Sequence, residues 1–241
     1  MSHEFDPKYW DGAIARPDWY MEFVPYAQEQ INSFNGEQER IDSFRRVIRH
    51  FFEVRLLEER VALASEGPNL DAERLPADTI VVHHTSHTPG YRLSYLNAVH
   101  LLNIYAPYYT NPTLESEKAL KGQPLWSGHF YEGKQVFWGY HWMLRMDGQA
   151  QRLLDDGHIG WQSGDWNINR RGIGICLDND YEHQDPTPET LETLADLIKT
   201  NYPDIDPQNV IGHLEARNGT TCPGGNFLSG WKHDLQNLLS S

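Results

Sequence analysis

The sequence is poor in cysteine, has no long apolar run and has no surplus of positive charge. Cys176 and Cys222 are the only two cysteines in 241 residues, too few for a disulfide framework. They fit a reducing compartment, or metal binding. Unbroken apolar stretches such as Ile80-Val81-Val82 fall far short of the ~18 residues of a membrane span, so no membrane span is expected. Lysine and arginine number 20 against 34 acidic residues, a net charge of −14. A surface of that sign repels phosphate backbones, which excludes nucleic acid as a partner held by a basic patch. The opening MSHEFDPKYWDG is acidic and aromatic, without the basic start and apolar stretch of a signal peptide. No signal peptide is visible, and the expectation is a chain that is cytoplasmic at synthesis.

Against these absences, 39% of the residues are hydrophobic and 12% aromatic, the composition of a globular protein with a core of its own. The length allows one to two domains. Residues 36–64 read as one long amphipathic helix, with Phe44, Val47, Ile48, Phe51, Val54, Leu57 and Val61 at spacings of mostly three and four. The segment before it, rich in tryptophan, tyrosine and proline (Trp10, Trp19, Tyr20, Pro25), reads as an extended arm lying on a surface. Gly67, Pro68 and Pro76 then punctuate a loop. This gives an N-terminal arm and helix over 1–75 and a second domain over 76–241.

In the second domain, Thr79–His84 reads as a buried strand and 94–105 as a helix. Residues 106–134 read as an inserted aromatic loop. Residues 136–145 read as a strand, 146–149 as a hairpin turn and 150–154 as the returning strand. Gly172–Leu177 is another buried strand. Thr187 and Pro188 open a helix carrying Leu191, Leu194, Leu197 and Ile198. A short strand ends at 210–213, and 227–239 closes the chain as a helix. Strands alternating with helices indicate an α/β or α+β class, with one sheet covered by helices.

Three places stand out chemically. His83 and His84 end a β-branched strand, where side chains alternate, so only one ring can enter a given site. His213 ends another apolar run and precedes Cys222 by nine residues. Asn218-Gly219 and Pro223-Gly224 are turn signals that can fold the intervening chain back on itself. A histidine and a cysteine flanking such a loop can reach one metal, and zinc takes nitrogen and sulfur ligands. The same spacing also fits a buried structural thiol. Tyr140, beside His141 in VFWGYHWMLR, can donate a hydrogen bond to a developing oxyanion or serve only in sheet packing.

The motifs VVHHTS, GYHWMLRMDG, GWQSGDWNINRRGIGICL, TPETLETLADLI and VIGHLEARNGTTCPGG follow one another over roughly residues 78–240. In this order the chain resembles the type 2 N-acetylmuramoyl-L-alanine amidases, a family that includes amidase-type phage lysozymes and peptidoglycan recognition proteins. The resemblance implies an α/β fold with a mixed central sheet flanked by helices, here with an N-terminal helical extension. It also implies a Zn2+ in a surface groove, with His83, His213 and Cys222 as its ligands. His84 then faces away from the metal. Tyr140 and Thr220 take the positions of catalytic residues, and Trp161, Asn167 and His84 are candidate substrate contacts. The implied reaction is hydrolysis of the amide between the lactyl group of N-acetylmuramic acid and L-alanine, in peptidoglycan or in muropeptides. Two other readings stay open: a non-catalytic peptidoglycan-binding module, and a zinc amidase acting on a different amide. A lysin released to the cell wall and a cytosolic recycling enzyme would both do without a signal peptide. Two positions depart from the family pattern: Cys176 stands where some members carry a glutamate, and Gln162 where the family has a histidine.

Overall fold

The computed structural model describes residues 5–86, 101–110 and 121–241. Residues 94–100 of the expected helix and 111–120 of the expected loop lie outside the described residues. The chain divides into two compact units. The described residues of the first are 5–69, 101–110, 121–128 and 133–137, and those of the second are 70–86, 129–132 and 138–241.

The first unit is helical from its start. Helices α1 (Pro7–Ala13), α2 (Trp19–Ser33) and α3 (Gln38–Leu57) occupy most of it. This corrects the expectation of an extended arm. The Asp6 carboxylate caps α1 by accepting from the Lys8 and Tyr9 backbone N–H groups, and Pro7 sits where a helix tolerates proline. The tryptophans and tyrosines do not lie on a surface but form the core of the unit. Trp10, Trp19, Tyr20 and Phe23 are buried, with the Trp10 and Phe23 rings edge to face at 4.7 Å. Pro25 lies inside α2, at a typical cost of about 3 kcal/mol. Burying Trp19, Tyr20 and Phe23 offsets it, at about 1.5–3 kcal/mol for each large side chain. Helix α3 is shorter than its periodicity suggests. It ends at Leu57, Glu59 turns the chain at φ 58°, and Val47 and Leu57 from the apolar series are exposed. The described end of the expected helix over 94–105 is a π-helical turn at Leu101–Tyr105, and it runs into α4 (Ala106–Thr110), so part of the expected loop is helical too.

The second unit is built on a five-stranded mixed sheet. Its strands are β1 (Thr79–His84), β2 (Trp142–Leu144), β3 (Ala150–Arg152), β4 (Gly172–Leu177) and β5 (Val210–Gly212), in the order β3-β2-β4-β1-β5. Strand β1 runs parallel to β4 and β5, and β2 runs parallel to β4. Only the hairpin β2–β3 is antiparallel. The expected strand over 136–145 shrinks to three residues because Val136 and Phe137 belong to the first unit and the ladder begins at Trp142. Helices α5 (Trp166–Asn169), α6 (Pro188–Asn201), α7 (His213–Ala216) and α8 (Trp231–Ser240) complete the unit. The architecture is thus α/β, a mixed central sheet flanked by helices, with an N-terminal helical region. No helix among the described residues is long and apolar enough to cross a membrane.

The period-two alternation of the strands decides what each face does. Ile80 and Val82 of β1, with Ile173, Ile175 and Leu177 of β4, form one core with Leu194, Ile198, Trp231 and Leu235 of α6 and α8. Their neighbours in sequence, Val81 and His83 on β1 and Gly172, Gly174 and Cys176 on β4, point the other way. The string GIGICL therefore encodes a packed face and a nearly bare one.

Two buried histidines support the bare face. The His141 Nδ1 accepts from the Gly174 N–H at 3.0 Å while Nε2 lies 3.1 Å from the His158 carbonyl, an arrangement that suits the neutral ring. Burial holds its pKa well below the ordinary value. Burial also pushes His129 down to about 4, against the opposing pull of Asp71. Both rings are neutral when folded and titrate near pH 6.5 when unfolded, so the unfolded chain binds more protons as pH falls below that value. Stability should drop from pH 7 to pH 5, with His129 alone contributing on the order of 2 kcal/mol. Urea midpoints at the two pH values, in the wild type and in His129→Gln, check this. Equal losses in both proteins would refute the assignment to His129.

Candidate metal centre

Parallel pairing brings the carboxyl ends of β1 and β5 to the same edge of the sheet. Val82 pairs with Gly212, so the next residue on each strand, His83 and His213, emerges at the same level. Their rings lie 4.7 Å apart, centroid to centroid. The chain then runs through α7 and returns, and the Leu214 N–H donates to the Cys222 carbonyl at 2.7 Å. Gly212 permits that return. A Cβ there would lie 2.6 Å from the Phe227 ring and 2.7 Å from Pro223 Cδ, so a side chain would force the cysteine loop away. One ligand atom each from His83, His213 and Cys222 lies within 4.8 Å of the others.

The nitrogens of each imidazole are distinguished by their partners. Nε2 of His83 lies 2.5 Å from Gln162 Oε1, which leaves Nδ1 facing Cys222 Sγ at 3.7 Å. The His213 ring is half-buried. Its Nε2 is buried without a hydrogen-bond partner among the described residues. Burial lowers the His213 pKa, which keeps the ring neutral. Burial pushes the Cys222 thiol up to about 11, with the His84 backbone N–H opposing the shift. A thiolate here therefore needs a cation beside it. Two neutral imidazoles, one thiol and an orphaned inward nitrogen fit a zinc ion, which takes three protein ligands at sites that keep a position open.

Tyr140 flanks this cluster, its ring 4.8 Å from that of His83. Its pKa is held well above 10, by burial first and then by the two cysteines. Cys176 is fully buried and its thiol is likewise pushed well up by burial. A thiol so held stays protonated and is no nucleophile at neutral pH. The half-buried Thr220 lies two residues before Cys222, and its Oγ1 accepts the Cys222 N–H at 3.2 Å.

The remaining expected residues are scattered. The His84 ring sits on the opposite face of β1, where it accepts from the Tyr181 N–H at 3.0 Å and meets Ser86 Oγ at 2.9 Å. Trp161 is half-buried, edge to face with His129 at 5.7 Å. Asn167 is exposed on α5. His84 is not among the residues whose ligand atoms cluster with those of His83, His213 and Cys222. What sequence reasoning missed is the partner of His83. Gln162 read only as a substitution where the family has a histidine, whereas its side chain is buried against His83. The alternation of glycine in GIGICL was the available signal, since it marks a face open to close approach.

The model of the family described as N-acetylmuramoyl-L-alanine amidase matches residues 73–225. Among solved structures, the chain is similar to the N-acetylmuramoyl-L-alanine amidase LysC from Clostridium intestinale at 19% identity, covering 74% of this chain and 96% of that one with a TM-score of 0.42. A mutant endolysin from Bacillus subtilis matches at 21% identity over 74% and 95% of the two chains, TM-score 0.43. Drosophila PGRP-LB matches at 21% identity over 72% and 89%, TM-score 0.41. No match is found among the curated proteins.

Proposed function

The chain belongs to the N-acetylmuramoyl-L-alanine amidase family, and from that premise we propose that it is a zinc-dependent hydrolase of the amide between the N-acetylmuramic acid lactyl group and L-alanine. Its substrate is peptidoglycan or a muropeptide derived from it. The observation that carries this reading is the convergence of His83, His213 and Cys222, whose ligand atoms come within 4.8 Å of one another. When bound, zinc acidifies a coordinated water and polarises the scissile carbonyl.

The chain's own residues then have separate tasks. The neutral imidazoles of His83 and His213 and the thiolate of Cys222 would hold the ion. Tyr140 stays protonated at neutral pH, so it acts as a hydrogen-bond donor to charge developing on the carbonyl oxygen and not as a base. The Thr220 oxygen already accepts from Cys222 N–H, so its own proton is available as a second donor. Cys176 is protonated and fully buried, so it does not replace the glutamate of other members as a general base. The sequence-based division at residue 75 enters the proposal with residues 76–241 as the catalytic portion.

Incubation of the purified chain with peptidoglycan, with and without a zinc chelator, tests the reading by mass spectrometry. Released stem peptides should begin with a free L-alanine, vanish with chelator and return with zinc. Release unaffected by the chelator would exclude the metal role. Binding without release from wall or soluble muropeptides would make the chain a recognition module.

A further inference from the structure

We infer that Asn169 is a positioning residue that sets the His83 imidazole of the metal site through Gln162 and the loop over residues 161–164. The inference rests on the proposed zinc site. His83 ends β1, and its ring is held from outside that strand. Gln162 Oε1 lies 2.5 Å from His83 Nε2. A shift of the dipeptide Gln162-Ser163 would turn this ring, and with it the Nδ1 that faces Cys222.

Asn169 is what holds the dipeptide. It is buried, and its Oδ1 accepts from the Ser163 hydroxyl at 2.7 Å, the Ser163 N–H at 2.9 Å and the Gln162 N–H at 3.3 Å. One oxygen thus receives three donors from Gln162, which holds His83, and from its neighbour Ser163. Asn169 is itself fixed at both ends of its backbone. Its N–H donates to the Asp165 carbonyl at 2.9 Å, and its carbonyl accepts from Arg74 at 3.2 Å. The same guanidinium donates to the Gly172 carbonyl at 3.1 Å, which ties the loop to the start of β4. The bare face of β4 then leaves room for Gln162. A Cβ on Gly174 would lie 3.0 Å from Gln162 Cγ, and one on Gly172 would lie 3.2 Å from Gln162 Nε2. Larger side chains at these two positions would push Gln162 off His83.

Residues behind metal ligands orient the rings and set their basicity, and losing such a partner typically weakens metal binding about 10–100-fold. Asn169→Ala removes the shared acceptor. Asn169→Asp keeps an oxygen able to receive the same three donors. Zinc affinity of the full chain, measured by competition with a chromophoric chelator well below the melting temperature, should fall about 10–100-fold in Asn169→Ala and stay within about threefold in Asn169→Asp. The visible absorption band of the Co2+-substituted protein should shift in the alanine variant and not in the aspartate variant. A purely structural role would lower the melting temperature of Asn169→Ala yet leave affinity and cobalt spectrum unchanged, and that result overturns the inference. So does an aspartate variant as weak as the alanine one. A wild-type chain that binds neither metal refutes the zinc reading itself, and this inference with it. Wild-type binding with an unaffected Asn169→Ala refutes this inference alone.

Discussion

Cys222→Ser is expected to abolish zinc binding at micromolar metal and to reduce stem-peptide release roughly a thousandfold or more, the rate equivalent of several kcal/mol of lost electrostatic stabilisation. A serine hydroxyl does not ionise near neutral pH, so the site loses its only negative ligand and keeps two neutral imidazoles. The substitution should spare the fold. The loop is held by backbone groups of residue 222, its carbonyl accepting from Leu214 N–H and its N–H donating to Thr220 Oγ1, and serine keeps both. Metal content by mass spectrometry, peptide release and a melting curve separate the cases. A folded Cys222→Ser protein that retains zinc and near-normal release would remove Cys222 from the ligand set.

Tyr140→Phe is expected to lower kcat about 100–1000-fold, the usual cost of removing one donor aimed at a developing oxyanion. Zinc content and KM should change by no more than a few-fold, because the phenyl ring keeps its place 4.8 Å from His83 and 6.2 Å from Trp138. Phenylalanine fills the same space as the tyrosine ring, so stability should hardly move. Steady-state kinetics on a soluble muropeptide give the test. An unchanged kcat would show that the hydroxyl does not reach the reacting oxygen. A raised KM with unchanged kcat would make Tyr140 a binding residue.

Acidity works in the opposite sense at the support beneath the site. His129 and His141 must stay neutral to remain buried, so the second unit weakens below the pH at which free histidine titrates. Activity loss on acidification should therefore be compared with the melting curve before it is assigned to the metal ligands.

How much of this was legible in the sequence depends on the distance over which each feature acts. The strands Thr79–His84 and Gly172–Leu177 were legible because β-branched and apolar runs bounded by turn residues have few other uses. Helix α6 was legible from Thr187, Pro188 and the leucine spacing, all of them local signals. The N-terminal segment was not. Its tryptophans, tyrosines and Pro25 suit an extended arm as well as a helix, and packing of Trp10, Trp19 and Phe23 in one core settled the matter. The strand over 136–145 was overextended for a related reason: buried apolar residues mark burial, not ladder pairing.

Residue types and their alternation were determined by the sequence itself. Two histidines at strand ends, a cysteine after a glycine-rich loop and the glycine–isoleucine alternation of β4 are all local patterns, and each limits what chemistry can occur. Only the tertiary structure decided that Nδ1 of His83 faces Cys222, that Gln162 holds its Nε2, and that Asn169 stands behind Gln162. Those choices are made by hydrogen bonds of 2.5–3.3 Å between residues as far as 79 positions apart. Strand register and close backbone approach set such distances, and no local pattern of residues carries them.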